Sequence, residues 1–391
     1  MTCVARTATP LQIACDCRIL VPGCQAALTE VERGIELAGN VSSPGRPGVY
    51  RAAVIGCGSI GSDIEDDVRQ APARIALPYG HAPTYRACPR TVLVAGADVD
   101  AGRRRAFAER WGLPPERVYA DYHVMLERER PDVVSVAVPT PWHAEVALAA
   151  VAAGVRGVFL EKPIASSLGE AERIVGACAA AGVALAVNHQ RRADPLYRQA
   201  RRLIADGAIG RLQGLVAHFA GELLRTGTHA FDLLNYLSGD EPAAWLVGHL
   251  DDQPADLDPG GSAYVVYPSG VRAYVAGVSG GAVPFRLQAI GSGGEIVIGN
   301  YELALWRRNP ATPRGELLRH PFPQVLPAAA PMPVLLDELL DAIEGGPPPS
   351  SCGRTAIQAL ALALGVHASA RQGSRPLALT GVDPDLRVRS V

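Results

Sequence analysis

The stretch "YRAAVIGCGSIG", Tyr50 to Gly61, decides the fold. Its first half is a short apolar, β-rich run, and its second half is a G-x-G-x-x-G turn. A strand that empties into such a turn, with helix-forming sequence behind it, opens a parallel α/β unit. The alternation continues outward from there. "TVLVAGADVD" is a second strand and "AGRRRAFAERWG" a helix. "DVVSVAVPT" is a third strand and "PWHAEVALAAVAAG" a helix. "GVFLEKP" is a fourth strand, "SLGEAERIVGACAAAG" a helix and "VALAVNH" a further strand. Strands that are unbroken apolar runs, separated by helices, mean a parallel sheet covered on both faces.

Beyond about residue 210 the pattern changes. "LQGLVAHFAG", "AWLVGHL", "SAYVVYPSGVRAYVAGVS", "FRLQAIGSGGEIVIG" and "LALWRR" are strands without intervening helices, and "YPSGV" and "GSGGE" are turn signals. Helical sequence returns in "PVLLDELLDAIEGG" and "CGRTAIQALALALGVHASARQG". The predicted class is α/β: a Rossmann-type parallel-sheet domain over residues 48–165, then an α+β domain with an open, mostly antiparallel sheet over 166–391. Residues 1–47 read as an N-terminal extension that ends in the linker "NVSSPGRPG".

Composition limits the function. The 391 residues are 48% hydrophobic and 19% charged, with a net charge of −2. That is ordinary for a globular enzyme and too apolar for disorder. There is no basic excess for nucleic acid or an anionic membrane surface. No apolar run reaches the ~18 residues that cross a bilayer. "LQIACDCRILVPG" is interrupted by Asp16 and Arg18 and makes a poor signal peptide, so a cytoplasmic location is expected. Eight scattered cysteines fit reduced thiols. Cys15, Cys17 and Cys24 cluster without a nearby histidine or fourth cysteine, so no metal site is expected.

The glycine turn carries the first chemistry. Gly56 makes the tight turn, Gly58 lets backbone approach a pyrophosphate, and Gly61 allows close helix–strand packing, with Ser59 and Ile60 between them. Phosphates would sit on the free N–H groups at the following helix start. The acid expected on the adenosine ribose is Asp98, at the end of "VLVAGAD". It lies 37 residues beyond Gly61, where ~20 is usual. The excess is an insertion after the turn. Its Tyr79, His81 and Tyr85 either line a pocket mouth or pack a lengthened helix. Asp98 accepts ribose hydroxyls and repels a 2′-phosphate, which favours NAD over NADP; Arg103 and Arg104 just beyond it weaken that preference.

"RGVFLEKPIASS", Arg156 to Ser167, brings Lys162 to the carboxyl edge of the parallel sheet, where ligands bind. A residue before proline is held extended, so this side chain leaves in a fixed direction. An ammonium there can stabilise negative charge developing on a substrate oxygen; the plain alternative is a surface ion pair with Glu161. In "GELLRTGTHAFDLLNYLSG", Gly221 to Gly239, a helix is expected from near His229, capped by Thr226 or Thr228. The dipole of that helix would keep His229 neutral and able to accept a proton. Asp232, one turn on, either orients it, touches substrate, or is a plain first-turn acid. "NHQRRADPLY" supplies Asn188, Arg191, Arg192 and Tyr197 from the adjoining strand end.

Taken in order, the glycine turn, "VPTPWHAEVALAAVAAG", "LEKPIASS", "NHQRRADPLY", "GAIGRL" and "GTHAFDLLNYLSG" resemble the Gfo/Idh/MocA family of nicotinamide-dependent oxidoreductases over roughly residues 50–380. The resemblance implies a cis Lys162–Pro163 bond, a catalytic Lys162, His229 as acid/base, and Thr140, His143 and Glu161 beside the nicotinamide. It places Asn188, Arg192, Arg225 and Asp232 toward substrate, and it implies a homodimer or homotetramer built on the open sheet. The implied activity is hydride transfer between NAD and a secondary alcohol of a sugar, sugar nucleotide or cyclitol. Two alternatives are a glycoside-cleaving enzyme working by transient oxidation and a non-catalytic cofactor sensor. In one position the chain departs from the pattern: many relatives carry an aspartate four residues before the histidine, and this chain has Arg225. Its guanidinium needs a partner, either Glu222 or Asp232 or an anionic substrate.

Overall fold

Strands β1 (Tyr50–Ile55), β2 (Thr91–Ala97), β3 (Val118–Tyr119), β4 (Val133–Val136), β5 (Gly157–Leu160) and β6 (Ala184–Val187) lie in the order β3-β2-β1-β4-β5-β6, all parallel. The computed structural model describes residues 48–70, 75–251, 258–300, 302–323 and 330–389. The extension 1–47, with Cys15, Cys17 and Cys24, lies outside them. Every residue of β4 and β5 is buried, as expected of strands covered on both faces. The strand order reverses between β1 and β4, which makes a crevice at their carboxyl ends. The sheet continues to Val187, past the boundary expected at residue 165, because β6 adds one more parallel strand beside β5.

Helices α1 (Ile64–Val68), α2 (His81–Ala87), α3 (Ala101–Trp111), α4 (Tyr122–Glu129), α5 (His143–Ala152) and α6 (Leu168–Ala181) connect these strands. Asp100, Asp121 and Ser167 cap α3, α4 and α6 by accepting first-turn N–H groups. The helix expected straight after the glycine turn is interrupted. The His81 N–H donates to the Ile60 carbonyl at 3.0 Å, and the Ala82 N–H to the Gly61 carbonyl at 3.1 Å. Helix α2 therefore takes up the turn directly, and residues 62–80 are an excursion spliced in front of it. The buried Glu65 holds the far end of the excursion by accepting the Tyr79 N–H at 2.9 Å. Without the excursion, the spacing from Gly61 to Asp98 is close to the usual ~20 residues.

The second sheet contains β7 (Leu212–Ala220), β8 (Trp245–Leu250), β9 (Gly261–Val266), β10 (Arg272–Val278), β11 (Arg286–Gly291), β12 (Gly294–Gly299), β13 (Leu303–Arg308), β14 (Leu317–His320) and β15 (Leu377–Ala378). Their order is β14-β13-β12-β11-β7-β10-β9-β8-β15. Only the β7–β10 pair is parallel, so the sheet is mixed and mostly antiparallel. Four more helices follow the first six: α7 (Pro195–Ala205), α8 (Thr228–Leu237), α9 (Pro331–Ile343) and α10 (Gly353–Arg371). Leu215, Phe219, Val265 and Val275 on one sheet face share a core with Phe231 and Leu234 of α8 and Leu360 and Val366 of α10. Burying one such side chain stabilises by about 1.5–3 kcal/mol. Helix α9 returns to the first sheet, where Met332, Leu335, Leu336 and Leu339 pack with Phe159 and Ala186. No helix among the described residues is long and apolar enough to cross a membrane.

Candidate active site

The glycine turn is bare backbone by necessity. Gly56 has φ +97°, and a Cβ there would meet the Ala137 carbonyl oxygen at 2.4 Å. At Gly61 a Cβ would lie 2.0 Å from the Gly56 oxygen. At Gly58 the nearest atom to an added Cβ is Arg103 Nη1 at 3.6 Å, so this position stays open. Asp98 stands at the rim. Its Oδ2 accepts the Cys57 N–H at 2.9 Å and its Oδ1 accepts the Asp100 N–H at 2.9 Å. An open glycine concavity with a carboxylate fixed beside it fits the pyrophosphate and adenosine ribose of a dinucleotide. Arg104 spends Nη1 on the carbonyls of Asp98 and Val99, at 2.9 and 3.0 Å.

At the end of β5 the Lys162–Pro163 bond is cis. The Lys162 side chain is part-buried, and its Nζ donates to the Arg225 carbonyl at 2.6 Å. Burial pushes this ammonium's pKa down. Glu161 opposes that, and Arg191 and Arg225 reinforce it. The Lys162–Glu161 ion pair that was the plain alternative does not form. Glu161 is buried and accepts from His81 Nε2 at 3.0 Å, from the Asn188 amide at 2.6 Å and from the Lys162 main-chain N–H at 3.2 Å. Behind it, His81 Nδ1 lies 2.8 Å from the Ser135 hydroxyl, which is 2.7 Å from that of Tyr85. Burial alone would raise the Glu161 carboxyl. The His81 bond and charge, Lys162 and Asn188 outweigh it and hold the pKa down to about 2. His81 and Tyr85, one turn apart on α2, thus pack inside the protein rather than at a pocket mouth.

His143 also serves the frame. It is buried, with Nδ1 2.8 Å from the Pro163 carbonyl and Nε2 2.9 Å from that of Val138, so it ties the end of β4 to the Lys162 loop. Thr140 lies in a 3₁₀ turn, Thr140–Trp142, at the same edge.

Helix α8 begins differently from expectation. A π-turn, Leu223–Gly227, precedes it, and neither threonine caps it; the Thr228 hydroxyl instead donates back to the Leu224 carbonyl at 2.9 Å. Asp258 holds the turn by accepting the N–H groups of Leu224 and Arg225, at 2.8 and 3.3 Å, with His367 Nε2 3.3 Å from its other oxygen. His229 is therefore not at a free helix start. Its pKa is pushed well below the usual value by burial first, and then by Arg191, Lys162 and His189. The imidazole is neutral, as expected, but for a different reason. Its Nδ1 is enclosed without a hydrogen-bond partner, which leaves Nε2 as the nitrogen with access to the cleft.

Arg192 and Asp232 are brought together, and they occupy each other. Arg192 Nε lies 2.7 and 2.8 Å from the two Asp232 oxygens, Nη1 donates to Asp240 at 2.7 Å, and Nη2 donates to the Asp232 carbonyl at 3.2 Å. Both side chains are buried. The two side chains hold each other and Asp240, where a substrate-binding role was expected of both. The sequence reading passed over His189. It is buried edge-to-face with His229 at 5.7 Å, and neither ring nitrogen has a hydrogen-bond partner; the nearest carboxylate oxygen, on Asp232, is 3.9 Å away. Its place beside Asn188 at a strand end was the available signal. Among the described residues no cluster of three His, Cys, Asp or Glu side chains could hold a metal ion.

Residues 50–189 match the model of an oxidoreductase family with an NAD-binding Rossmann fold, GFO_IDH_MocA. The chain is 31% identical to D-apiose dehydrogenase of Paraburkholderia graminis over 208 residues, 49% of this chain and 50% of that protein. The match thus spans about half the length of that relative. It is 28% identical to scyllo-inositol 2-dehydrogenase (NAD(+)) of Bacillus subtilis over 273 residues, 64% of this chain and 73% of that protein. Among solved structures, an inositol dehydrogenase homologue from Azotobacter vinelandii, complexed with NADH and myo-inositol, superposes with a TM-score of 0.68. It is 21% identical and covers 84% of this chain and 97% of that one.

Proposed function

We propose, from the match of residues 50–189 to the Gfo/Idh/MocA oxidoreductase family model, that the chain moves a hydride between NAD and a secondary alcohol or ketone of a sugar-like substrate. One observation carries the reading. The Lys162 ammonium is drawn by the Arg225 carbonyl to the turn that leads into His229, so a cation and a neutral imidazole share the carboxyl edge of the parallel sheet. NAD, when bound along the glycine turn, supplies the hydride acceptor. Lys162 donates from Nζ to the substrate oxygen and stabilises its growing negative charge. His229 takes the hydroxyl proton at Nε2, which its lowered basicity keeps vacant near pH 7. Glu161, held ionised by His81 and Asn188, fixes the backbone from which Lys162 projects.

Dehydrogenases of inositols and of apiose among the relatives support a polyol-type substrate. The test is incubation with NAD and a panel of cyclitols, sugars, sugar acids and nucleotide sugars while NADH absorbance is followed. Accumulating NADH supports the proposal. Turnover of a glycoside without net NADH points to transient oxidation, and binding without turnover points to a sensor. Self-association is part of the same reading. The outer face of the second sheet carries Trp245, Tyr264 and Tyr274 in ring contact at 5.7 and 5.1 Å, with Tyr274 52% exposed. An aromatic face of this kind suits a second copy of the chain.

A further inference from the structure

We infer that the substrate carries an anionic group, phosphate or carboxylate, and that Arg191 and Arg225 hold it beside Lys162; this deepens the hydride-transfer reading and rests on it. Arg225 lies in the Leu223–Gly227 turn with its backbone fixed on both sides. Its carbonyl accepts from Lys162 Nζ at 2.6 Å, and its N–H points at Asp258 Oδ2 at 3.3 Å. The side chain that leaves this fixed point is exposed. Neither internal partner expected for it is in place. Asp232 is wholly buried and engaged by Arg192, and Glu222 makes no ion pair among the described residues. Arg191 is oriented by stacking, its guanidinium 4.2 Å from the centre of the Phe285 ring. One of its N–H groups is taken by the Tyr197 hydroxyl, and a stacked guanidinium keeps its other edge N–H groups for a planar or tetrahedral anion.

Among the described residues, no carboxylate makes an ion pair within 4.0 Å with the Lys162 ammonium or with the guanidinium of Arg191 or Arg225; Glu161 reaches only the Lys162 main-chain N–H. The neighbouring arginines are all paired: Arg192 with Asp232 and Asp240, Arg198 with Glu338, and Arg201 with Asp240. The protein has thus neutralised the cations that hold its frame and left unpaired those that face the cleft. Arg191 and Arg225 are also close enough to Lys162 to depress its ammonium, so the three charges oppose one another until an anion joins them. The cofactor's phosphates are not that anion. They belong to the glycine turn after β1, whereas these cations stand at the ends of β5 and β6 and before α8. The anion comes with the substrate.

The test measures binding without turnover, so it stays separate from the hydride-transfer proposal. Glucuronate against glucose, and myo-inositol 1-phosphate against myo-inositol, are titrated onto the NADH complex by its fluorescence. Inorganic phosphate and acetate are titrated in parallel. At least one anion is expected to bind tenfold or more tighter than its neutral parent, with the two pairs separating carboxylate from phosphate. Arg225→Gln and Arg191→Gln are each expected to weaken that anion by about 10- to 100-fold, the scale of a lost charged hydrogen bond, and to leave NADH affinity and the neutral parents unchanged. Equal binding of anion and parent overturns the inference. So does an NADH complex that takes up none of these anions, or one whose anion affinity is the same in both arginine variants. Anion binding with no NADH formed in the panel assay would leave this inference standing and remove the hydride-transfer reading instead.

Discussion

Asp98→Asn tests how the adenosine end of the cofactor is read. In the structure the Asp98 carboxylate is fixed by two main-chain N–H groups at 2.9 Å, so its charge cannot swing away from a 2′-phosphate. A carboxylate roughly 5 Å from a phosphate of charge about −1.5, at an effective dielectric near 40, is repelled by ~2.5 kcal/mol. That is close to a hundredfold preference for NADH over NADPH. Nearby cations offset little of it. Arg104 is committed to the Asp98 and Val99 carbonyls, and Arg103 lies over the turn at Gly58. Asparagine keeps the shape and one acceptor, so the turn should survive while the repulsion is lost. The expected result is a shift of the NADPH/NADH affinity ratio by about 30- to 100-fold, read from fluorescence titrations of both nucleotides. Tighter NADPH binding by the unaltered protein would refute the reasoning, as would a ratio that moves less than threefold in the variant.

Lys162→Met and His229→Ala are each expected to lower kcat by about a hundredfold or more, with the NADH dissociation constant within about twofold; near-normal turnover in either variant removes that residue's role. Acid should destabilise the fold. Burial lowers His189 (to about 3) and His229, so below pH 6.5 the unfolded chain binds more protons than the native one. Stability then falls as pH drops, by up to ~1.4 kcal/mol per pH unit for each histidine. Asp232 acts in the opposite sense, because burial raises it to about 6 against the pull of Arg192, and between that pH and 3.8 it offsets about one histidine. Urea midpoints that do not fall between pH 7 and 5 would contradict these assignments. Tyr274→Glu should dissociate the oligomer without unfolding it, as followed by light scattering on a sizing column; an unaltered protein that is already monomeric disproves the proposed face.

What was legible in the sequence was local. The apolar runs of β1, β2, β4, β5 and β6, the glycine turn and the Glu161-Lys162-Pro163 corner each declare themselves within about ten residues, because periodicity and backbone restriction act over that range. What was missed depends on chain segments far apart. Arg192 looked like a substrate ligand because nothing near it in sequence shows that Asp232 and Asp240 will close around it. Glu161 and Asn188 were placed at the cofactor and the substrate, yet each lies within reach of the other once β5 and β6 pair. The first sheet runs on past residue 165 to β6, and α9, more than 140 residues beyond β6, comes back to cover it, a contact nothing near residue 165 announces.

The excursion at residues 62–80 has a consequence for how the nucleotide dock comes together. Since Ile60 and Gly61 receive the N–H groups of His81 and Ala82, two residues in place of the whole segment would restore the i→i+4 ladder of an unbroken helix. As it stands, the dock closes only after a loop of about twenty residues has been drawn shut, an entropic toll of roughly (3/2)RT ln 20, or ~2.7 kcal/mol. The Arg110–Asp66 ion pair and the Trp111 indole on Ser62, which lash the excursion to α3, repay part of it. Foreign sequence, a reporter or new chain ends placed beyond Ile64 would hang from a helix whose first turn is already closed behind them, while the N–H groups of Ser62, Asp63 and Ile64 stay on the Gly58 and Ser59 carbonyls of the glycine turn.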